Sequence, residues 1–206
     1  MFDSGKMAGL PLEQSSGLEW PYAPGRSGRL SVTLSVDLEL FYHALFPPED
    51  WHYYESKKDV MTVYHLLKVL ERHHVTAMFY VLGDVAQRER SLIEWIAAQG
   101  HSLGSHGYLH RHGEQEGDLS DQMTRDLLPH CRGYRPPFWE GVRRPGYAGG
   151  AFFRLLPYPL LKLEVLRSRH LYLHPYDLDL HPSMLRRSFC VGEPWAKFER
   201  LLDECW

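Results

Sequence analysis

Val75-Thr76-Ala77-Met78-Phe79-Tyr80-Val81-Leu82-Gly83 is the stretch whose reading decides the fold. It is an unbroken apolar, β-favouring run closed by a glycine, the pattern of a buried strand in a parallel sheet. Before it, Asp59 to His73 carries Val60, Val63, Leu66, Leu67 and Leu70 at a helical period. After it, Asp84 stands where a helix cap belongs, Val85, Leu92, Ile93 and Ile96 form an inward stripe, and Gly100 ends the helix. His101 to Gly104 is then a short third strand. Upstream, Leu30 to Val36 alternates apolar and small polar residues and reads as the first strand. Strand, helix, strand, helix, strand implies a parallel α/β arrangement, in which function collects at the C-terminal ends of the strands.

The remaining chain is consistent with one domain. Residues 1–29 are rich in Gly, Pro and Ser and read as an irregular lead-in, leaving 30–206 as a single domain. Phe41 to Tyr54 is aromatic, broken by Pro47-Pro48, and reads as a loop. Leu119 to Leu128 reads as a helix, Phe152 to Arg167 as a helix interrupted at Pro157 and Pro159, and His170 to His174 as a strand. Pro194 to Trp206 reads as an amphipathic helix with Trp195, Phe198, Leu201 and Leu202 buried. With 206 residues the chain can bury one sizeable core. A net charge of -3 gives no reason to expect nucleic acid or an anionic membrane as partner. Cys131, Cys190 and Cys205 form neither a metal motif nor a disulfide framework. Met1 to Lys6 lacks an apolar leader, and no stretch reaches transmembrane length, so a cytoplasmic protein is expected, compatible with a peripheral place in a membrane polysaccharide pathway. The oligomeric state is left open.

Two clusters carry chemistry. Asp37-Leu38-Glu39 ends the first strand, and in extended chain residues i and i+2 share a face, so both carboxylates project together. Gly104-Ser105-His106-Gly107-Tyr108-Leu109-His110 follows the third strand, and on a helical turn its two imidazoles, four residues apart, share a face. One carboxylate and two imidazoles make a triad for a divalent ion, with positions open for water and substrate. The other carboxylate is then a general base, and His174 a proton donor for the leaving group. Spacing alone does not say which carboxylate does which.

Ser35 to Glu39, Ser105 to His110, Tyr134-Arg135-Pro136-Pro137 and Leu173-His174-Pro175 resemble, in order, the motifs of the polysaccharide deacetylases with a NodB-like domain, carbohydrate esterase family four. Val75 to Val81, Gly83 to Ala86 and Gly100-His101 resemble the segment linking that family's first two motifs. The similarity spans roughly residues 31 to 178. It implies a distorted (β/α) barrel and a hydrolase, usually zinc-dependent, that removes N-acetyl or similar groups from amino sugars. Carried over, Asp37 is the base, Glu39, His106 and His110 hold the metal, Arg135 positions the base and His174 is the acid. Leu173, with the aromatics Trp139 and Tyr108, is assigned to the substrate groove.

The sequence departs from the family in two ways. Leu38 separates the acidic residues, where many members have adjacent aspartates. The stretches between His110, Arg135 and His174 are short, and the family's aspartate motif downstream of the arginine is not visible, so the barrel is either incomplete or stripped of loops. The expected substrate is an N-acetylated sugar of a cell-surface polysaccharide or its precursor, such as a lipopolysaccharide O-antigen. The alternatives are a hydrolase of small cyclic amides or imides, and a catalytically silent carbohydrate-binding relative.

Overall fold

The computed structural model describes residues 32–43, 58–142, 144, 146–179 and 191–206. The expected lead-in, and the aromatic loop beyond residue 43, lie outside the described residues. Four strands, β1 (Thr33–Leu38), β2 (Met78–Val81), β3 (Ser102–Ser105) and β4 (His170–Leu173), form one parallel sheet in the order β3-β2-β1-β4. The helices are α1 (Lys58–Arg72), α2 (Gly83–Arg88), α3 (Arg90–Ala98), α4 (Leu119–Leu127), α5 (Ala151–Leu155), α6 (Tyr158–Ser168) and α7 (Pro194–Cys205). Among the described residues the barrel is not closed. Each edge is prolonged by one isolated parallel bridge, Ser105 to Tyr134 beyond β3 and Gly149 to Tyr172 beyond β4.

The register divides the sheet into two chemically distinct faces. Ser35 lies beside Met78 and Tyr172, and Asp37 beside Tyr80, so side-chain alternation puts these residues on one face with His170 and Gly104. The other face carries Leu34, Val36, Leu38, Phe79, Val81, Leu103, Leu171 and Leu173, all buried in the core. The stripes expected in α1 and α7 join it: Val63, Leu66, Leu67, Leu70, Phe198 and Leu201 are fully buried. Burial of this apolar face is the main source of stability. The first face is left for polar work.

Local expectations needed three adjustments. β2 begins at Met78, because Val75 N turns back to Leu70 O and Ala77 N donates to the ring of His101. The single helix expected over 85–100 is two, α2 and α3, broken at Glu89 with φ -118° and ψ 46°. Asp84 does not cap α2: the N-cap is Leu82, without a side-chain bond, and Asp84 instead accepts from Tyr42 and Arg88. No helix among the described residues is long and apolar enough to cross a membrane.

Three imidazoles are held neutral inside the fold, one of them His43, which burial pushes from 6.5 down to about 4. Burial pushes His101 from its ordinary 6.5 down to about 4. Burial, aided by the Arg135 charge, pushes His170 down to about 3. From about 6.5 downward the unfolded chain takes up protons that the folded chain refuses, so this stabilisation is complete above that pH and is lost as pH falls. In urea titrations of the metal-free protein, the midpoint should drop steadily from about pH 6.5 to about pH 5, above the range of most carboxylates. His101→Gln should flatten the decline, and a flat wild-type profile would contradict it.

Candidate metal centre

β1 ends at the centre of the sheet, and its two carboxylates are almost fully buried: Asp37 is 1% and Glu39 2% exposed. Glu39 N bonds Asp37 O at 2.9 Å, so the chain turns as soon as the strand stops. The following residues are tied down locally, with Phe41 N donating to Asp59 (3.1 Å) and the Tyr42 hydroxyl to Asp84 (2.8 Å). Charged groups this deep require partners.

The histidine loop supplies two of them, though not on a helical turn as expected. His106 leaves β3, and the chain passes through left-handed backbone at Gly107 (φ 78°) and His110 (φ 58°). Gly107 O accepts from Gly83 N (3.0 Å) and from the Thr124 hydroxyl (2.9 Å), while Tyr108 O accepts from Asp84 N (3.1 Å). Glu114 braces the loop from the other side, accepting from Tyr108 N and Leu109 N, both at 3.2 Å, and from Ser120 at 2.7 Å. A Cβ on Gly107 would sit 2.1 Å from that carboxylate. The loop delivers both imidazoles to one oxygen: Glu39 Oε1 lies 3.3 Å from His106 Nε2 and 3.1 Å from His110 Nε2.

Asp37 faces a different set of groups. The Arg135 guanidinium pairs with Asp37 Oδ1 and donates to Ser35 Oγ at 2.9 Å. It is sandwiched between the rings of Tyr80 and Trp139, 4.0 and 4.3 Å from their centroids. His174, just past β4, reaches both acids, with Nε2 3.9 Å from Asp37 Oδ2 and 3.7 Å from Glu39 Oε1. Asp177 holds it from behind: one carboxylate oxygen accepts from His174 Nδ1 and from its backbone N, both at 2.9 Å. Arg154 Nε stands 3.2 Å from the other oxygen of Asp177. Tyr176 stacks on His174 (4.8 Å, 6°) and donates to Glu39 Oε2 at 3.1 Å.

The electrostatics follow from this packing. Burial pushes the Glu39 carboxyl up, but the facing His174 charge and the bonds from His106 and His110 outweigh it and hold it well below the usual range. Burial alone would lower His174; Glu39 and Asp177 raise it to about 9 instead. Burial likewise drives the Tyr176 phenol well above its ordinary value, with Glu39 and Asp177 adding to the effect, so it remains a donor.

A divalent ion fits this donor set. His106 Nδ1 lies 2.8 Å from Arg135 O, an atom that can only accept, so Nδ1 carries the proton. Nε2 faces the ionised Glu39: in the imidazolium it donates to the carboxylate, and in the neutral ring its lone pair is free to take a cation lying between them. The donor spacings of 3.1 and 3.3 Å match the edge of about 3.3 Å of a tetrahedron with metal–ligand distances of about 2.0–2.1 Å. Glu39, His106 and His110 thus form one group able to hold an ion; Asp37, Glu39 and His174 are a second, overlapping one.

The structure therefore brings Asp37, Glu39, His106, His110, Arg135 and His174 together, with Trp139 on the arginine. It does not bring Leu173 or Tyr108 to the acids. Leu173 is 0% exposed because alternation turns it to the apolar face beside Val36. Tyr108 packs over Gly83, where a Cβ would sit 2.2 Å from its ring, and donates to Gln87 at 2.6 Å. Sequence reasoning missed Ser35, Tyr176, Asp177, Arg154 and Glu114. Asp177, three residues after His174 in a Pro-led turn, was the one with a readable signal.

The fold is a parallel α/β sheet with a buried carboxylate–imidazole cluster at its strand ends, and it has counterparts among known proteins. Residues 57–130 match the polysaccharide deacetylase family, a segment that contains His106 and His110. A peptidoglycan-N-acetylglucosamine deacetylase of Bacillus cereus is 32% identical over 77 residues, 35% of this chain and 28% of that protein. The chain thus aligns with little more than a quarter of that relative's length. The peptidoglycan deacetylase PdaC of Bacillus subtilis superposes with a TM-score of 0.55 at 15% identity, covering 86% of each chain. A CE4 family pseudoenzyme of Bacillus anthracis superposes with 0.55 at 13%, covering 87% of this chain and 63% of that one. At such identities the superpositions establish the fold alone, and the fold is of the polysaccharide deacetylase type. Over residues 57–130 the chain is similar in sequence to the polysaccharide deacetylases.

The bracing of the histidine loop can be tested without any assay of activity. Glu114→Ala leaves Tyr108 N and Leu109 N without their acceptor and should cost about 1–2 kcal/mol in urea unfolding. Glu116→Ala, on the same loop but exposed, should stay within about 0.5 kcal/mol.

Proposed function

We propose that this chain is a zinc-type, metal-dependent hydrolase that removes the N-acetyl group, or a similar acyl group, from an amino sugar in a carbohydrate substrate. The observation that carries this reading is the convergence of His106 and His110 on Glu39 Oε1, with Asp37 beside them on its own arginine. Residues 30–206 are read as one NodB-like domain. The substrate is read as a cell-surface polysaccharide or its precursor.

Glu39, His106 and His110 hold the ion. When bound, the ion supplies Lewis acidity to the acyl carbonyl and favours ionisation of water nearby. Asp37 takes the proton from the attacking water as the new C–O bond forms. Arg135 keeps that carboxylate aimed, its guanidinium fixed by Ser35, Tyr80 and Trp139. His174 gives its proton to the nitrogen as the C–N bond breaks, releasing a free amine and a carboxylic acid. Asp177 keeps Nδ1 of His174 as the bonded nitrogen, so that Nε2 faces the reaction.

Zinc stoichiometry and acetate release should be measured together, on N-acetylated amino sugars, free, lipid-linked and polymeric, with cyclic ureides and imides alongside. The wild type should bind zinc and release acetate from an amino sugar. Asp37→Asn should keep zinc and lose on the order of 10²–10⁴-fold in kcat. Glu39→Gln should weaken zinc binding. Turnover of cyclic imides alone would favour the second substrate class. Sugar binding with no zinc would favour a silent relative. If Asp37→Asn strips the metal and Glu39→Gln does not, the two roles are exchanged.

A further inference from the structure

The two imidazoles of the centre are held by different means. His106 has its Nδ1 fixed on Arg135 O at 2.8 Å. His110 Nδ1 is buried and has no hydrogen-bond partner among the described residues. Its ring instead meets the ring of Phe138, with centroids 4.3 Å apart and planes at 46°. Phe138 is gripped in turn on another side, stacked on His112 at 4.0 Å and 13°. The His112 imidazole pairs with Glu140, whose second oxygen accepts from Gly113 N at 2.9 Å. Loop 110–113 is thereby clipped to the turn 137–140 by one aromatic stack and one carboxylate.

The backbone of that turn points the same way. Phe138 (φ 56°, ψ 10°) and Trp139 (φ 61°) are consecutive non-glycine residues in left-handed conformation. Side-chain-bearing residues occupy that region at a cost, and such strain gathers at functional sites. Here the conformation places the Phe138 ring on His110 and the Trp139 ring on the Arg135 guanidinium.

We propose that Phe138 is the positioning residue of the metal ligand His110, fixing by ring packing what the Arg135 carbonyl fixes for His106 by hydrogen bonding. His112 and Glu140 are its outer clamp. The inference rests on the metal reading given above for the role of His110, but not for the ring contact itself. Groups that orient a metal ligand from outside typically change affinity by about 10–100-fold when removed. Ring packing constrains the plane of an imidazole without choosing which nitrogen carries the proton, so His110 is the more loosely specified of the two histidine ligands.

The experiment is chelator competition for zinc, combined with NMR relaxation of labelled histidine rings in the metal-free protein. Phe138→Gly relaxes the left-handed backbone and so tests the ring without penalising the fold; Phe138→Ala removes the ring alone. Both should weaken zinc by about 10–100-fold and mobilise the His110 ring, leaving His106 ordered. Phe138→Tyr should restore wild-type behaviour on both counts, and Glu140→Gln should show a smaller loss. Unchanged zinc affinity and an ordered His110 ring in Phe138→Gly would overturn the proposal. If the wild type binds no zinc, the metal reading fails on its own, and the order of the His110 ring still decides whether Phe138 positions it.

Discussion

Two carboxylates buried at the end of the central strand set the terms for the rest of the structure. An isolated buried charge is costly enough that proteins pair it, hydrogen-bond it or place a metal on it. Asp37 and Glu39 lie on the same turn of chain, so they also repel one another unless compensated separately. Separate compensation is what the fold provides: a guanidinium for Asp37, two imidazoles and a phenol for Glu39, and His174 between them. Those partners come from the loop after β3, the Arg135 segment and the end of β4. Once the pair is buried, three further parts of the chain have a required meeting point.

The two faces of the sheet make that meeting point available. Alternation along β1 sends Leu34, Val36 and Leu38 into the helix-covered core, while Ser35 and Asp37 face the Arg135 guanidinium. A shift of one residue in the register would exchange the two sets. The same scaffold is shared by the CE4 family pseudoenzyme and by a mutant of it with restored activity, so fold alone does not decide whether chemistry happens. At its strand ends this chain gathers two carboxylates, an arginine and three histidines.

Much of this was legible in the sequence because it is periodic or local. The apolar run at 75–82, the stripe of α1 and the stripe of α7 announce buried elements. The paired acids and paired histidines announce a centre. What could not be read depends on tertiary approach. The histidine spacing suggested a helical turn, yet the loop is shaped by Gly107, by Glu114 and by the backbone of Gly83 and Asp84, none of them paired to it by any sequence rule. Leu173 looked like a groove residue from its place in a motif, but strand alternation commits it to the core. Arg154 carries no periodic or motif signal at all. Its meaning exists only once α5 is packed beside the turn that bears Asp177.

That last contact answers the shortness of the chain around the site. The sequence shows no aspartate motif between Arg135 and His174, and an imidazole without an anionic partner would be poorly oriented. The structure supplies the anion locally. Pro175 starts a single 3-10 turn that brings Asp177 back onto both the backbone N and Nδ1 of His174. Arg154, at 3.2 Å, holds the far oxygen. The helix bearing Arg154 is only five residues long, too short to be stable alone. Its end is secured by Lys197 of α7, whose ammonium donates to the carbonyls of Phe153, Arg154 and Leu156 at 3.0, 3.3 and 3.0 Å. A line of contacts therefore runs from the last helix through α5 and Asp177 to His174. The last helix thereby supports the position of His174, which follows the edge strand β4.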